Sequence, residues 1–152
     1  CHVCLLRPKS TGEVTLNSNN AFDSPKIDPK FFSEREDMDI MIKGYRKMMQ
    51  IMDAEPLRPF TRKVQDPVDI NSDADIEAAM RARADTVYHP VGTCKMGSDD
   101  MSVVNHELKV HALENVRVVD ASIMPTLVGG NTNAPTIMIG EKAADMIKSS
   151  WA

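Results

Sequence analysis

The 152 residues carry 18 Lys and Arg against 22 Asp and Glu, a net charge of −4, with 42% hydrophobic and 26% charged residues. That balance is too apolar for a disordered chain and lacks the basic excess that electrostatic nucleic-acid binding requires. No apolar run reaches the roughly 18 residues that would span a membrane, and 5% aromatic residues beside 11 methionines predict a core of flexible aliphatic side chains.

The sequence opens on Cys1-His2-Val3-Cys4, with neither the basic start nor the small-residue cleavage site of a signal peptide. A slice of a longer chain is the expectation. Three cysteines, Cys1, Cys4 and Cys94, are odd in number and too sparse for a disulfide framework, so a reducing, cytoplasmic setting is expected.

In chain order, Arg7 to Gly12 is turn-rich, and Val14 and Leu16 alternate about Thr15 as a short, half-buried strand would. Residues 17–29 hold Asp23-Ser24-Pro25 and Asp28-Pro29, and the residue before each proline is pushed away from helix, which predicts a loop with extended pieces. Ser33-Glu34-Arg35-Glu36 matches a capping box, predicting a helix from about Ser33. Its apolar face is Met38, Met41, Ile42, Tyr45, Met48, Met49 and Met52, and Pro56 and Pro59 end it. Ser72 caps a shorter helix with Ile76, Ala79, Met80 and Arg83 on one side. Leu108-Lys109-Val110 and Val116 to Val119 read as two strands joined by a turn near Glu114-Asn115. Thr136 to Ser149 reads as a helix with Met138, Ile139, Ala143, Met146 and Ile147 facing one way and Pro135 in its first turn.

Among the four histidines, His89 stands out, between Tyr88 and Pro90 in a glycine-bearing loop. Imidazole titrates close to neutral pH, so such a residue is a candidate proton acceptor. A loop histidine with no catalytic duty is the other reading, and the residues alone leave both open. His106 and His111 lie in a polar stretch and read as solvated. Gly129-Gly130-Asn131-Thr132-Asn133 leads into the last helix, whose N-terminal amides favour electron-rich groups; Asn131 or Asn133 either donates to a ligand or caps the helix. A single Cys-x-x-Cys does not make a four-ligand zinc site, so no metal is expected. Gly-x-Ser-x-Gly, a phosphate-binding Lys-Ser/Thr loop and Gly-x-Gly-x-x-Gly are all missing.

Three blocks in order then carry a resemblance. They are His89-Pro90-Val91-Gly92-Thr93-Cys94-Lys95-Met96-Gly97, Val116 to Pro125 through Asp120-Ala121-Ser122, and Gly130-Asn131-Thr132-Asn133-Ala134-Pro135-Thr136 to Asp145. Together they resemble the C-terminal part of the glucose–methanol–choline oxidoreductases, closest to the choline-dehydrogenase-like branch. Leu6 to Leu16 and Pro25 to Pro29 resemble the same family's substrate-domain segment, so the likeness covers nearly the whole chain.

The resemblance implies an α+β fold, the C-terminal fragment of a two-domain FAD-linked reductase-type fold. Residues 1–85 would be the C-terminal part of the substrate-binding domain, and residues 86–152 the active-site loop and returning segment of the FAD-binding domain. It implies an FAD-dependent alcohol dehydrogenase or oxidase as parent, acting on a small-molecule alcohol. His89 would be the catalytic histidine and Asn131 its partner, with Asp120, Ala121, Asn133, Pro135 and Thr136 near the flavin. The glycine-rich loop that holds the ADP half of FAD lies in the family's N-terminal half. The fragment is therefore expected to be inactive, not to retain FAD, and to self-associate through exposed apolar faces. A stand-alone, non-catalytic folding or oligomerisation module without flavin is the alternative.

Overall fold

The computed structural model describes residues 1–151. Its α+β chain divides into two compact units, Cys1–Val87 and Tyr88–Ala152.

The first unit is organised by two helices, α1 (Arg35–Met52) and α2 (Asp73–Arg83). The methionine-rich face of α1 buries Met38 and Ile42 against Ile76 and Met80 of α2, with Phe32, Met41, Tyr45 and Val68 packed around them. Full burial of one such side chain contributes roughly 1.5–3 kcal/mol. Further along the same face Met48, Met49 and Met52 are half-buried. As predicted, Ser72 caps α2, its hydroxyl accepting the Asp75 N–H at 3.2 Å. Glu77 accepts from Arg35 at 2.5 Å and from Arg81 at 2.8 Å, which ties α2 to the start of α1. Pro56 and Pro59 lie in a 3-10 helix, Glu55–Phe60, beyond the end of α1.

The start of α1 departs from expectation. The helix begins at Arg35 with Glu34 at the cap position, and no side-chain capping bond forms. Phe32 takes φ +59°, so the chain enters α1 through a tight left-handed corner, not through the serine. Ser10, remote in sequence, accepts the Glu34 N–H at 3.1 Å instead. The carboxylate of Asp37 turns back onto the same segment, accepting the backbone N–H of Lys9 at 2.9 Å and of Ser10 at 2.8 Å.

Strands β1 (Glu13–Thr15) and β2 (Lys26–Asp28) form a two-stranded antiparallel ribbon with Val14 opposite Ile27. The predicted half-buried strand is in fact exposed, Val14 at 49% and Leu16 at 86%, because a ribbon of two strands has no further strands to flank it. Gly12 permits the crossing at its end, since a Cβ there would run into the carbonyl of Asp28 and the Cα of Pro29.

In the second unit, helix α3 (Asn133–Ser149) packs Ile139 and Ala143 against Val104, Leu108, Ile123 and Met124. Met138 is 57% exposed and Ile147 37%, so the buried stripe is narrower than expected. Ile139, Ala143 and Met146 follow the four- and three-residue spacing, and Met138 is turned about 100° away. The pairing predicted between residues 108–110 and 116–119 exists, with the Val110 N–H on the Val116 carbonyl at 3.0 Å and the Val118 N–H on the Leu108 carbonyl at 3.1 Å. It amounts to a single antiparallel bridge, Lys109 with Arg117, and not to two strands. Leu108 at φ +64° and Asn115 at φ +58° bend the backbone out of the extended region at both ends.

Candidate active site

The loop that carries His89 is stiff for reasons visible residue by residue. Tyr88 adopts φ +61° and Gly92 φ +88°, both left-handed. Between them Pro90 fixes its own φ and confines His89 to extended conformations. A Cβ on Gly92 would stand 3.4 Å from the Met124 carbonyl, in a backbone conformation L side chains rarely adopt. Beyond the glycine, the Cys94 N–H donates to the Ser122 carbonyl at 3.0 Å and the Met96 N–H to the Ile123 carbonyl at 2.8 Å. The loop is thereby clamped to the 3-10 turn Ala121–Ile123.

That turn depends on Asp120, whose carboxylate accepts the Ser122 N–H at 2.7 Å and also takes the Ser122 hydroxyl. Ala121 packs against the core of the unit. Both residues have local structural work beside the cofactor role that the resemblance implies for them.

The second strand of the site is the approach to α3. Thr132 occupies the cap position without a side-chain capping bond, so neither Asn131 nor Asn133 is the cap. The Thr136 hydroxyl donates back to the Thr132 carbonyl at 2.6 Å and its N–H to the same oxygen at 3.0 Å. Asn133, Ala134 and Pro135 form the first turn, where backbone amides have no intrahelical acceptor.

His89 and Asn131, 42 residues apart, meet here: Nδ2 of Asn131 lies 3.5 Å from Nε2 of His89, the long end of hydrogen-bond range. An amide nitrogen only donates, so the contact is a hydrogen bond in the tautomer whose Nε2 carries no proton. His89 is half-buried and Asn131 exposed, so the facing side of the pair is open. Two atoms at that separation can both reach one oxygen at about 2.8–3.0 Å.

Elsewhere, His111 is not merely solvated, its Nε2 lying 3.0 Å from the Gly97 carbonyl, and His106 is exposed. Asp99, unremarked in the sequence, accepts from Lys95 at 3.0 Å, from the Ser102 hydroxyl at 2.9 Å and from the Met101 N–H at 3.0 Å. The Lys95 ammonium, the Ser102 hydroxyl and the Met101 amide lower its carboxyl to a pKa of about 2. Among the described residues no three His, Cys, Asp or Glu side chains are grouped to hold a metal ion, and no helix is long and apolar enough to cross a membrane.

Comparison with known proteins gives one answer. Residues 8–140 match the model of the GMC oxidoreductase family. The chain is 52% identical over 147 residues to an alcohol dehydrogenase [acceptor] of Pseudomonas putida, covering 96% of this chain and 27% of that protein. It is 47% identical over 150 residues to the mitochondrial choline dehydrogenase of Mus musculus, covering 97% of this chain and 25% of the relative. Among solved structures, formate oxidase of Aspergillus oryzae RIB40, studied for its FAD modification, superposes with a TM-score of 0.90 at 34% identity, over 96% of this chain and 26% of the oxidase. Pyridoxine 4-oxidase of Mesorbium loti gives 0.85 at 31% identity, over 92% of this chain and 28% of its own. The chain thus spans about a quarter of the relatives it matches, and it belongs to the GMC oxidoreductase family.

Proposed function

We propose that this chain supplies the proton-handling face of an FAD-dependent enzyme that oxidises the CH–OH group of a small alcohol. The observation that carries the reading is the 3.5 Å approach of the Asn131 amide to the His89 imidazole. In an enzyme of family length, residues 1–85 belong to the substrate-binding domain and residues 86–152 to the active-site loop and returning segment of the FAD domain.

The residues present fit a flavin. The first-turn amides of Asn133 and Ala134, with no capping bond from the Thr132 side chain, would offer the positive end of α3 to an electron-rich ring. Pro135 and Thr136 complete that turn, and Asp120 and Ala121 lie on the 3-10 turn to which the His89 loop is clamped. FAD, when bound, supplies the acceptor for the hydride that leaves the alcohol carbon.

The residues of this chain handle the other product of the oxidation. Nε2 of His89 takes the hydroxyl proton as a general base. Nδ2 of Asn131, directed at the same small volume, donates to the oxygen as it gains negative charge and holds it in place. Neither group closes the pocket, because Asn131 is exposed and His89 only half-buried. Walls that exclude water come from the remaining three quarters of a family-length enzyme. By itself this chain is therefore inactive, binds no FAD, and self-associates through exposed apolar side chains such as Phe22 at 97% and Leu16 at 86%.

The test is rapid-mixing reduction of a family-length enzyme by its alcohol. His89→Ala slows flavin reduction by about 10²–10⁴-fold while the flavin absorbance stays with the protein. An unchanged rate defeats the reading.

A further inference from the structure

Both halves of the His89–Asn131 pair lean on the same three residues. The His89 loop is tied to the 3-10 turn Ala121–Ile123 through the Ser122 and Ile123 carbonyls, which accept the Cys94 N–H at 3.0 Å and the Met96 N–H at 2.8 Å. Helix α3, whose approach carries Asn131, buries Ile139 and Ala143 in one core with Ile123 and Met124. The turn thus holds the loop with its backbone and the helix with its side chains.

What holds the turn is Asp120. A 3-10 turn of three residues has poor hydrogen-bond geometry, and its own backbone bonds are long. The Ile123 N–H reaches the Asp120 carbonyl at 3.3 Å and the Met124 N–H the Ala121 carbonyl at 3.2 Å. The side chain does better: Oδ1 of Asp120 accepts the Ser122 N–H at 2.7 Å, and the same oxygen takes the Ser122 hydroxyl. Asp120 is extended, with φ −156° and ψ −173°, so its carboxylate reaches forward over the turn in the manner of an Asx cap. Tying down both the amide and the hydroxyl of Ser122 fixes that residue's orientation, and with it the carbonyl that receives Cys94.

We infer that Asp120 is a positioning residue for the His89–Asn131 pair, and that its forward-reaching oxygen acceptor, not its negative charge, is the working property. This inference rests on the function proposed above, but its first test does not need activity. In the 152-residue chain, the nuclear Overhauser contact between the His89 ring and the Asn131 side-chain amide reports the pairing directly. Asp120→Asn keeps an oxygen that accepts at the same place without the charge, and it keeps the contact. Asp120→Glu keeps the charge but sets the oxygens one carbon further out, and it weakens the contact, as does Asp120→Ala. In a family-length enzyme Asp120→Ala and Asp120→Glu lower kcat by about 10–10²-fold with KM for the alcohol within about twofold, the cost of a misplaced catalytic group. Asp120→Asn recovers most of that loss.

The reverse order, with Asp120→Glu retaining contact and kcat while Asp120→Asn loses them, overturns the inference in favour of a role for the charge. An Asp120→Ala protein that keeps both contact and kcat overturns it as well. Should Asp120→Ala fail to fold, the asparagine and glutamate variants decide, and equal contact and kcat in those two count against the inference. Failure of the proposed function looks different: His89→Ala leaves flavin reduction intact while the contact still follows the side chain at position 120.

Discussion

The buried carboxylate of Asp37 accepts the backbone N–H of Lys9 at 2.9 Å, from a segment 28 positions earlier in the chain. It also takes the Ser10 N–H at 2.8 Å, and the residue is only 2% exposed. A single side chain thus anchors the N-terminal segment to the first turn of α1. Asp37→Ala strands those two amides and destabilises the chain by about 2–3 kcal/mol, read as a lowered urea midpoint. A midpoint at the wild-type value would show that the segment is not held there.

The same anchor gives stability a defined response to acid. Burial pushes the Asp37 carboxyl up, but the Lys9 amide and the Ser10 hydroxyl and amide outweigh it, so its folded pKa lies below the ordinary carboxylate value. The group therefore contributes fully above about pH 4, the unfolded value. That contribution fades as the pH falls through the lower folded value. Unfolding followed between pH 5 and 2 should show the loss, and Asp37→Asn should flatten it.

Asp99 offers a sharper titration. Lys95, Ser102 and the Met101 amide hold its carboxyl at a pKa of about 2, so its carbon resonance should remain that of a carboxylate down to the most acidic part of an NMR titration. Lys95→Met removes the leading cause and moves the midpoint up toward the ordinary value of about 3.9. A midpoint already near 3.9 in the wild type would contradict the network.

Two glycines should respond with opposite sign. A Cβ at Gly12 would meet the backbone of Asp28 and Pro29, so Gly12→Ala should cost roughly 1–3 kcal/mol and remove the cross-strand contact of Val14 with Ile27. Gly140 lies inside α3 with nothing within 4 Å of the position its Cβ would take. Gly140→Ala should stabilise by roughly 0.5–1 kcal/mol through helix propensity. Equal effects on thermal unfolding would contradict both accounts.

Asn131 makes a separable contribution to the chemistry proposed. In a family-length enzyme Asn131→Ala removes one donor to the developing oxyanion and should lower kcat by about 10²-fold. His89 remains to take the proton, so residual turnover should exceed that of His89→Ala. If the asparagine variant were as fast as the wild type, the amide would have no part in stabilising the oxygen.

The three helices were legible from apolar spacing because Met38, Ile42, Ile76, Met80, Ile139 and Ala143 repeat at helical intervals and do bury. The Ser72 cap was legible because its partner is three residues away. The capping box at Ser33 was not realised, because Ser10 and Asp37 bond across the fold and the left-handed Phe32 redirects the entry to α1. The strand pair at 108–110 and 116–119 was overdrawn for a similar reason, since residue types suited to strands do not reveal the left-handed turn at Leu108.

Local pattern and the ordered blocks around His89, Asp120 and Asn131 were enough to determine the helices and the family. Only the tertiary structure decided that Asn131 reaches His89, that Asp120 ties its own turn, and that Tyr88 bends backwards before the histidine. Spacing encodes what faces a core, because burial repeats with the period of the element. Contacts between distant positions, and the sign of a single φ, depend on where the rest of the chain has already been fixed.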